Sequence, residues 1–294
     1  MKMRTIDMII SATLSNRDTV KQIERDERVI RTYEKYPELQ RIDNNIKDNI
    51  RANLMKILDD ELDPDDLHDD EERKLLEKRE QFLKVNCISA DFDKLWPVCE
   101  KCGDTGFIRK GNLRVVCKCM GDELSEAFRE AGLGDFESVR PSLLDLKAIK
   151  NPENKRKEAR SKLDSVIVSI TDKKEQKPLI YSDKAQTGKT YLAICFTKVA
   201  IGCGLSGCYV KMDDLINASD ERVNDYKYCD FLVIDDFSSI LTNNFKIRFA
   251  LDRILETRLN NGKFTLIIMN ESPAEAVDKS DEKIAAKLSR LECL

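Results

Sequence analysis

The chain has 294 residues, a formal net charge of −4 at pH 7, 35% charged residues and 6% aromatic residues. This length suits one large domain or two smaller ones, and the weak negative charge excludes a globally basic surface, so any contact with nucleic acid requires a local patch. No apolar run approaches the ~20 residues that span a bilayer, and the amino terminus is too charged for a secretory signal. We therefore expect a cytoplasmic protein with no membrane partner.

Residues 18–58 carry a helical pattern that is interrupted at Pro37. Because proline disfavours a helical residue before it, one helix is predicted to end there and a second to follow. Two interpretations of the second helix stay open: its apolar stripe forms the core of a small helical domain, or part of it docks a partner protein. The stripe, with spacings of three and four residues, consists of Leu39, Ile42, Ile46, Ile50, Leu54 and Ile57.

Residues 59–72 form an acidic break that contains His68, the only histidine of the chain. The spacing of its aspartates lacks the central glycine and the final glutamate of a calcium-binding loop, so we interpret it as a solvated linker. A single histidine also argues against histidine-based catalysis. A further helix is predicted from Glu71 to Leu83.

Four of the ten cysteines crowd into a short segment as Cys99, Cys102, Cys117 and Cys119. Two thiolate pairs separated by 14 residues can supply four sulfur ligands to one tetrahedral Zn²⁺. Gly103 and Gly106 permit a tight turn after the first pair, and a small β-hairpin is predicted around Gly111-Asn112. Four thiolates leave no open position for water, which favours a structural zinc. The alternative is four buried or loosely placed thiols without a metal.

The second half of the chain alternates between strand and helix signals, after a short predicted helix from Glu123 to Ala131 and a polar linker that starts at Asn151. The stretch Tyr181-Ser-Asp-Lys-Ala-Gln-Thr-Gly-Lys-Thr190 follows an apolar strand and opens an apolar helix, as a phosphate-binding loop does. Backbone N–H groups at the helix N-terminus and the ammonium of Lys189 would face an anion, and the Thr190 hydroxyl would ligate Mg²⁺. An ordinary surface turn before a helix is the alternative.

This loop departs from the pattern G-x-x-x-x-G-K-[ST], because Asp183 occupies the place of the first glycine. Gln186 stands where many such loops have another glycine, so that Gly188 is the one glycine left. A carboxylate near the expected phosphates predicts weak ATP affinity or altered nucleotide binding.

Two later strands end in polar residues that fit a nucleotide site. Asp230-Phe-Leu-Val-Ile-Asp-Asp236 has the form of a Walker B strand, in which Asp235 would hold Mg²⁺ and Asp236 would orient or activate the attacking water. The strand from Phe264 ends in Asn270, which can position that water or simply form a turn. The intervening helix, residues 244–260, has predicted apolar positions at Phe249, Leu251, Ile254 and Leu255, and its basic residues Lys246, Arg248, Arg253 and Arg258 are interpreted as a solvated face rather than as DNA contacts.

In this order, a helical region, the Cys-x-x-Cys-Gly-Asp-Thr-Gly and Cys-x-Cys segments, and the nucleotide motifs resemble the bacterial and phage helicase loaders of the DnaC/DnaI type. These are AAA+ proteins related to the IstB transposition helpers. The resemblance covers roughly residues 30–294. It implies an α/β AAA+ P-loop core with a parallel sheet and no lid, preceded by a helical N-terminal domain with a small Cys₄ zinc knuckle.

The resemblance also assigns residues. It implies ATP and Mg²⁺ binding by Walker A and Walker B, a sensor role for Asn270, and an arginine finger at Arg290 that reaches the γ-phosphate of a neighbouring subunit in a ring or spiral. The chain stops four residues after Arg290, so the final strand of the core is expected to be missing. The predicted nucleotide-binding residues are Thr187, Gly188, Lys189, Thr190 and Asp235.

We therefore predict a helicase-loading ATPase with a partner-binding helical region (1–98), a zinc knuckle (99–120), a helix and linker (121–156) and an AAA+ core (157–294). Its partners would be a hexameric replicative DNA helicase, single-stranded DNA and further copies of itself. Two alternatives stay open: a non-hydrolysing adaptor or inhibitor of the helicase, and an IstB-like transposition helper.

Overall fold

A computed structural model describes residues 4–59, 70–139, 154–174 and 176–294. These residues group into two compact units, one formed by Ser15–Glu100 and the other within Met1–Leu14 and Lys101–Leu294. Within the described ranges, no helix is both long and apolar enough to cross a membrane. Residues 60–69 of the predicted linker, which include His68, lie outside the described residues.

The Ser15–Glu100 unit is helical, as predicted. Helix α2 begins directly at Pro37, because the first helical position needs no N–H donor. Its small core joins Leu39 of α2 to Leu83 of α3 and to Phe92. The three helices of the N-terminal region are α1 (Ile6–Lys35), α2 (Pro37–Leu58) and α3 (Asp70–Val85).

The apolar stripe of α2 is divided between core and surface. Leu39, Ile42 and Ile46 are buried, whereas Ile50 and Leu54 are 40% and 54% exposed. The first half of the stripe is therefore buried, and its Leu39 belongs to the core of the helical unit. The second half is an exposed apolar surface on the same helix.

The predicted hairpin is present as the antiparallel strands β1 (Phe107–Lys110) and β2 (Leu113–Val116). Helix α4 (Gly121–Glu130) follows it. The turn before β1 requires glycine, because a Cβ atom on Gly106 would lie 2.5 Å from a side-chain carbon of Ile10 and the residue has φ = +74°.

The second half of the chain forms a five-stranded parallel sheet in the order β4-β5-β6-β3-β7. Apart from the two-residue last strand, its strands are largely buried and apolar, as expected when helices flank a parallel sheet. The strands are β3 (Leu179–Ser182), β4 (Gly207–Lys211), β5 (Phe231–Phe237), β6 (Phe264–Met269) and β7 (Glu292–Cys293), and the helices are α5 (Asn154–Thr171), α6 (Lys189–Gly202), α7 (Asp220–Tyr228), α8 (Phe245–Asn260), α9 (Pro273–Lys279) and α10 (Glu282–Leu288). The predicted fold class, an α/β P-loop core preceded by a helical region, is confirmed.

The expectation that the final strand is missing is wrong. Strand β7 pairs in parallel with β3, and the N–H groups of Glu292 and Leu294 donate to the carbonyl oxygens of Pro178 and Ile180 at 3.0 and 2.8 Å. Two residues are too few to produce an apolar run in the sequence. They nevertheless cover the edge of β3, so the strand that precedes the loop lies inside the sheet.

The predicted linker from Asn151 is also corrected in part. Residues 151–153 lie outside the described ranges, but α5 begins at Asn154. Its buried side chains Leu163, Val166 and Ile167 recur at helical spacing and hold it against the core.

Two predictions for helix α8 are wrong. Phe249 is 52% exposed and stacks on Phe245 with a ring-centroid distance of 6.0 Å, so it is not a core position. Arg258, predicted on a solvated face, is completely buried, and its guanidinium donates to the Thr265 hydroxyl and to the carbonyl oxygens of Tyr226 and Cys229. Arg258 therefore connects the end of α7 to strand β6.

Candidate functional site

The loop between β3 and α6 has the backbone of a phosphate-binding loop. Gly188 precedes α6 with φ = +86°, in the left-handed region that favours glycine. Gln186 also has a positive φ, 63°, which costs a residue with a Cβ on the order of 1 kcal/mol. This conformation explains why related loops place glycine at that position.

The Lys189 side chain is hydrogen-bonded to the backbone of the loop that precedes it. It is 6% exposed, and its ammonium donates hydrogen bonds to the carbonyl oxygens of Asp183 and Lys184 at 2.7 and 2.6 Å. Thr187 donates its hydroxyl hydrogen to the same Lys184 carbonyl at 2.9 Å. The positive charge thus lies at the N-terminus of α6, where the helix dipole also favours an anion.

Asp183 does not place a carboxylate in the cavity beside the loop. One carboxylate oxygen accepts the backbone N–H of Lys184 at 2.8 Å, and Asp183 is not among the residues that line the cavity. The cavity has a volume of about 330 Å³, within the ~300–1,000 Å³ of ordinary ligand pockets. It is lined by Ala185, Gln186, Thr187, Gly188, Lys189, Thr190, Asp236, Ile268, Met269 and Asn270.

The two Walker B carboxylates have different environments. Asp235 is completely buried; its oxygens accept the Tyr209 hydroxyl at 2.7 Å and the Asp236 N–H at 2.9 Å. Asp236 has φ = 52° and turns into the cavity. Burial, and then the neighbouring charge of Asp235, raises the pKa of the Asp236 carboxyl above its ordinary value.

Asn270 lines the cavity at the end of β6, and the residue after it ties three chain segments together. The carboxylate of Glu271 accepts the backbone N–H and the hydroxyl of Ser239, the latter at 2.7 Å. The Glu271 carbonyl accepts the Ser182 hydroxyl at 2.6 Å. Sequence reasoning missed Glu271 and Tyr209, because neither belongs to a motif and each acts through a residue distant in the chain.

Arg290 is exposed just beyond α10 and is not a lining residue of the cavity. The predicted site residues that line the cavity are Thr187, Gly188, Lys189, Thr190, Asp236 and Asn270. Asp235 is not a lining residue; it is completely buried and accepts the N–H of Asp236. The helix N-terminus, Lys189, the Thr190 hydroxyl and the Asp236 carboxylate line the cavity, and the buried Asp235 carboxylate adjoins Asp236 in the chain. This set of groups suits a polyphosphate with a divalent cation.

The four predicted zinc ligands also come together. The sulfur atoms of Cys99, Cys102, Cys117 and Cys119 all lie within 4.8 Å of one another, and those of Cys102 and Cys119 are 3.6 Å apart. Tetrahedral Zn²⁺ with Zn–S bonds of ~2.3 Å requires sulfur separations of about 3.8 Å. The cluster therefore fits a structural zinc ion with little rearrangement.

We expect purified protein to contain about one zinc ion per chain, as one tetrahedral Cys₄ site requires. Replacing Cys117 with serine removes a ligand and should abolish stoichiometric zinc and lower the thermal unfolding midpoint. Elemental analysis and a melting curve measure both effects. Cys87→Ser is the matched control, because Cys87 is exposed and outside the cluster. Wild-type protein that is zinc-free after mild purification would contradict the site.

Fold and site together define an α/β P-loop domain, which follows a helical region in the sequence. No protein-family model matches the sequence, and no curated protein matches it. The chain is similar to several solved structures. They include a DnaI protein (TM-score 0.44, 18% identity, 52% of this chain and 86% of that one), a DnaC helicase loader (0.41, 23%, 50% and 93%) and AMPPCP-bound DnaA from Aquifex aeolicus (0.43, 17%, 49% and 47%).

These similarities cover about half of this chain and about half of the DnaA chain. A DnaI protein and a DnaC helicase loader, the two types whose motif order the sequence resembles, are among the solved structures similar to this chain.

Proposed function

We propose that this chain is a loader of a hexameric replicative DNA helicase that binds ATP with Mg²⁺ in the cavity beside α6. The observation that carries the nucleotide part is the convergence of Lys189, Thr190, Asp236 and Asn270 on that cavity. These residues come from three separate elements, and parallel strands bring their carboxyl ends to one edge of the sheet.

Each residue has a proposed role. The loop amides around Thr187 and Gly188, with Lys189, hold the phosphates, while Thr190 and Asp235 hold Mg²⁺. Bound Mg²⁺ supplies neutralisation of phosphate charge.

Asp236 orients the attacking water and accepts its proton, and Asn270 positions the same water against the γ-phosphate. Arg290 acts on nucleotide held by a neighbouring copy, in a ring or spiral that assembles with ATP. Its position outside its own cavity supports this role.

The helical region is proposed to bind the helicase, and the core to contact single-stranded DNA. The exposed second half of the α2 stripe, including Ile50 and Leu54, supports a docking role for that helix. An apolar surface of this kind is typical of protein interaction sites. The four-part domain division and the cytoplasmic location predicted from the sequence belong to the same proposal.

The test of the nucleotide part is phosphate release by the wild type beside Lys189→Ala and Asp236→Ala. We expect Lys189→Ala to lose nucleotide binding, because it removes the charge at the loop. Asp236→Ala should retain binding and lose turnover by about 10²- to 10⁴-fold, as when a positioned base is removed. Fluorescent ATP-analogue binding separates the two defects. Equal background rates in all three proteins would favour the non-hydrolysing adaptor.

The partner is tested by capture with the tagged full-length protein from a host lysate, followed by mass spectrometry. Recovery of the replicative helicase supports the loader. Recovery of a transposase would instead support the transposition helper, which shares the nucleotide core.

A further inference from the structure

We propose that Tyr209 is a positioning residue that fixes the carboxylate of Asp235 for a metal-bound nucleotide. The inference rests on the proposed nucleotide site and adds to it a residue that no motif includes. Tyr209 lies in the middle of β4, beside Val233 of β5, and is 3% exposed.

The hydrogen bonds of Asp235 define its orientation. The Tyr209 hydroxyl donates to one carboxylate oxygen at 2.7 Å, and the Asp236 N–H donates to the other at 2.9 Å. A carboxylate accepts about four hydrogen bonds, so each oxygen keeps capacity for a metal ion or a metal-bound water. Because the terminal torsion of aspartate is intrinsically broad, two donors on opposite oxygens are what hold the group in one rotation.

The ring of Tyr209 is itself held in place. Its backbone N–H donates to the Ala131 carbonyl at 2.8 Å, and Phe136 packs edge-on against the ring at a centroid distance of 5.5 Å. The backbone of Gly132 lies against the backbone of Tyr209, since a Cβ atom on Gly132 would be 2.4 Å from the Tyr209 carbonyl oxygen.

The segment that carries Phe136 is held in turn. Lys198 of α6 donates to the carbonyl oxygens of Phe136 and Val139 at 2.6 and 2.7 Å. Burial, the Phe136 ring and the backbone bond of Tyr209 therefore hold the ring that carries the hydroxyl beside Asp235.

This arrangement resembles the outer shell of a metal site, in which a second residue orients a ligand. Loss of such a partner typically costs about 10- to 100-fold in metal affinity or activity. Tyr209→Phe keeps the ring, its packing and its burial, and removes only the donor. Asp235 would then keep a single fixed oxygen and rotate about it.

The experiment is a Mg²⁺ titration of fluorescent ATP-analogue binding by the full-length wild type, Tyr209→Phe and Tyr226→Phe. Tyr226 is the matched control, because it is also buried and its hydroxyl accepts a hydrogen bond from Arg222 rather than donating to Asp235. We expect Tyr209→Phe to need about 10- to 100-fold more Mg²⁺ for half-maximal enhancement of binding, with unchanged binding in EDTA. Tyr226→Phe should follow the wild type.

An unchanged Mg²⁺ midpoint in Tyr209→Phe would overturn the inference while leaving the nucleotide site intact. Equal shifts in both variants would also overturn it, because they would indicate a general packing defect. Wild-type protein that binds no nucleotide at any Mg²⁺ concentration would overturn the proposed function, and the inference with it.

Discussion

Replacing Arg258 with leucine should lower the free energy of unfolding by about 3 kcal/mol or more, because each buried acceptor left without a donor costs ~1–3 kcal/mol. The guanidinium satisfies the carbonyl oxygens of Tyr226, Cys229 and Phe264 and the hydroxyl of Thr265. Leucine fills part of the volume and donates to none of them. Urea unfolding measures the loss as a lower midpoint at unchanged slope.

Arg253→Leu is the control for this substitution. Arg253 is on the same helix, but its side chain is 42% exposed and bridges the exposed Asp220 at 3.4 Å. A surface ion pair of this kind contributes ~0–1 kcal/mol. Similar losses in both variants would show that Arg258 acts only through charge or helix propensity.

The effect of Arg258 should depend on pH in a defined direction. Burial raises the pKa of the Cys229 thiol, but the hydrogen bond with Cys208 and the charge of Arg258 outweigh it and bring the pKa down to about 7. The unfolded thiol has a pKa of about 8.5. A lowered pKa in the fold gives stability that is fully present above about 8.5 and is lost as pH falls through about 7. The difference between wild type and Arg258→Leu should therefore widen from pH 7 to pH 8.5.

Replacing Arg290 with alanine should reduce phosphate release by about 10³-fold or more, as loss of an arginine finger does. Binding of nucleotide to the isolated subunit should be unchanged, because Arg290 does not line its own cavity. Lys283→Ala is the matched control, since Lys283 is also an exposed cation and lies on α10. Both variants are compared by steady-state phosphate release and by analogue binding.

Mixing Arg290→Ala with Lys189→Ala tests whether the arginine acts between subunits. An Arg290→Ala subunit can still bind ATP, and a Lys189→Ala neighbour still presents Arg290. We expect mixed assemblies to recover part of the activity that each variant lacks alone. No recovery, together with weaker analogue binding by Arg290→Ala alone, would place Arg290 at its own cavity and contradict the proposal.

Helix α8 shows where sequence patterns predicted the fold and where they did not. Its buried positions Ile247, Leu251, Ile254 and Arg258 follow spacings of three and four residues. Periodicity alone therefore points Arg258 inward and Phe249 outward. Residue type suggested that Arg258 faces solvent, because burying an unpaired guanidinium is costly. The carbonyl oxygens that accept its hydrogen bonds belong to residues that are distant in the chain or in another element.

The candidate site shows a similar division. The phosphate-binding loop, the carboxylates of β5 and Asn270 could be located from the sequence, because each lies at or just after the end of an apolar strand. Strand β7, Tyr209 and Glu271 could not, since their roles depend on pairings between distant segments, such as Glu292 beside Leu179 or Glu271 beside Ser239. Local patterns carry no information about such partners.

The hydrogen bonds of Glu271 connect the carboxyl end of β6, through Ser239 and Thr242, to helix α10. Ser239, which Glu271 holds, accepts the Thr242 hydroxyl at its carbonyl, and Thr242 in turn accepts the backbone N–H of Asp281, the residue that caps α10. Arg290 follows that helix. These bonds form one continuous series between the end of β6 and the start of α10, so a displacement that pulls Glu271 away from Ser239 would break it.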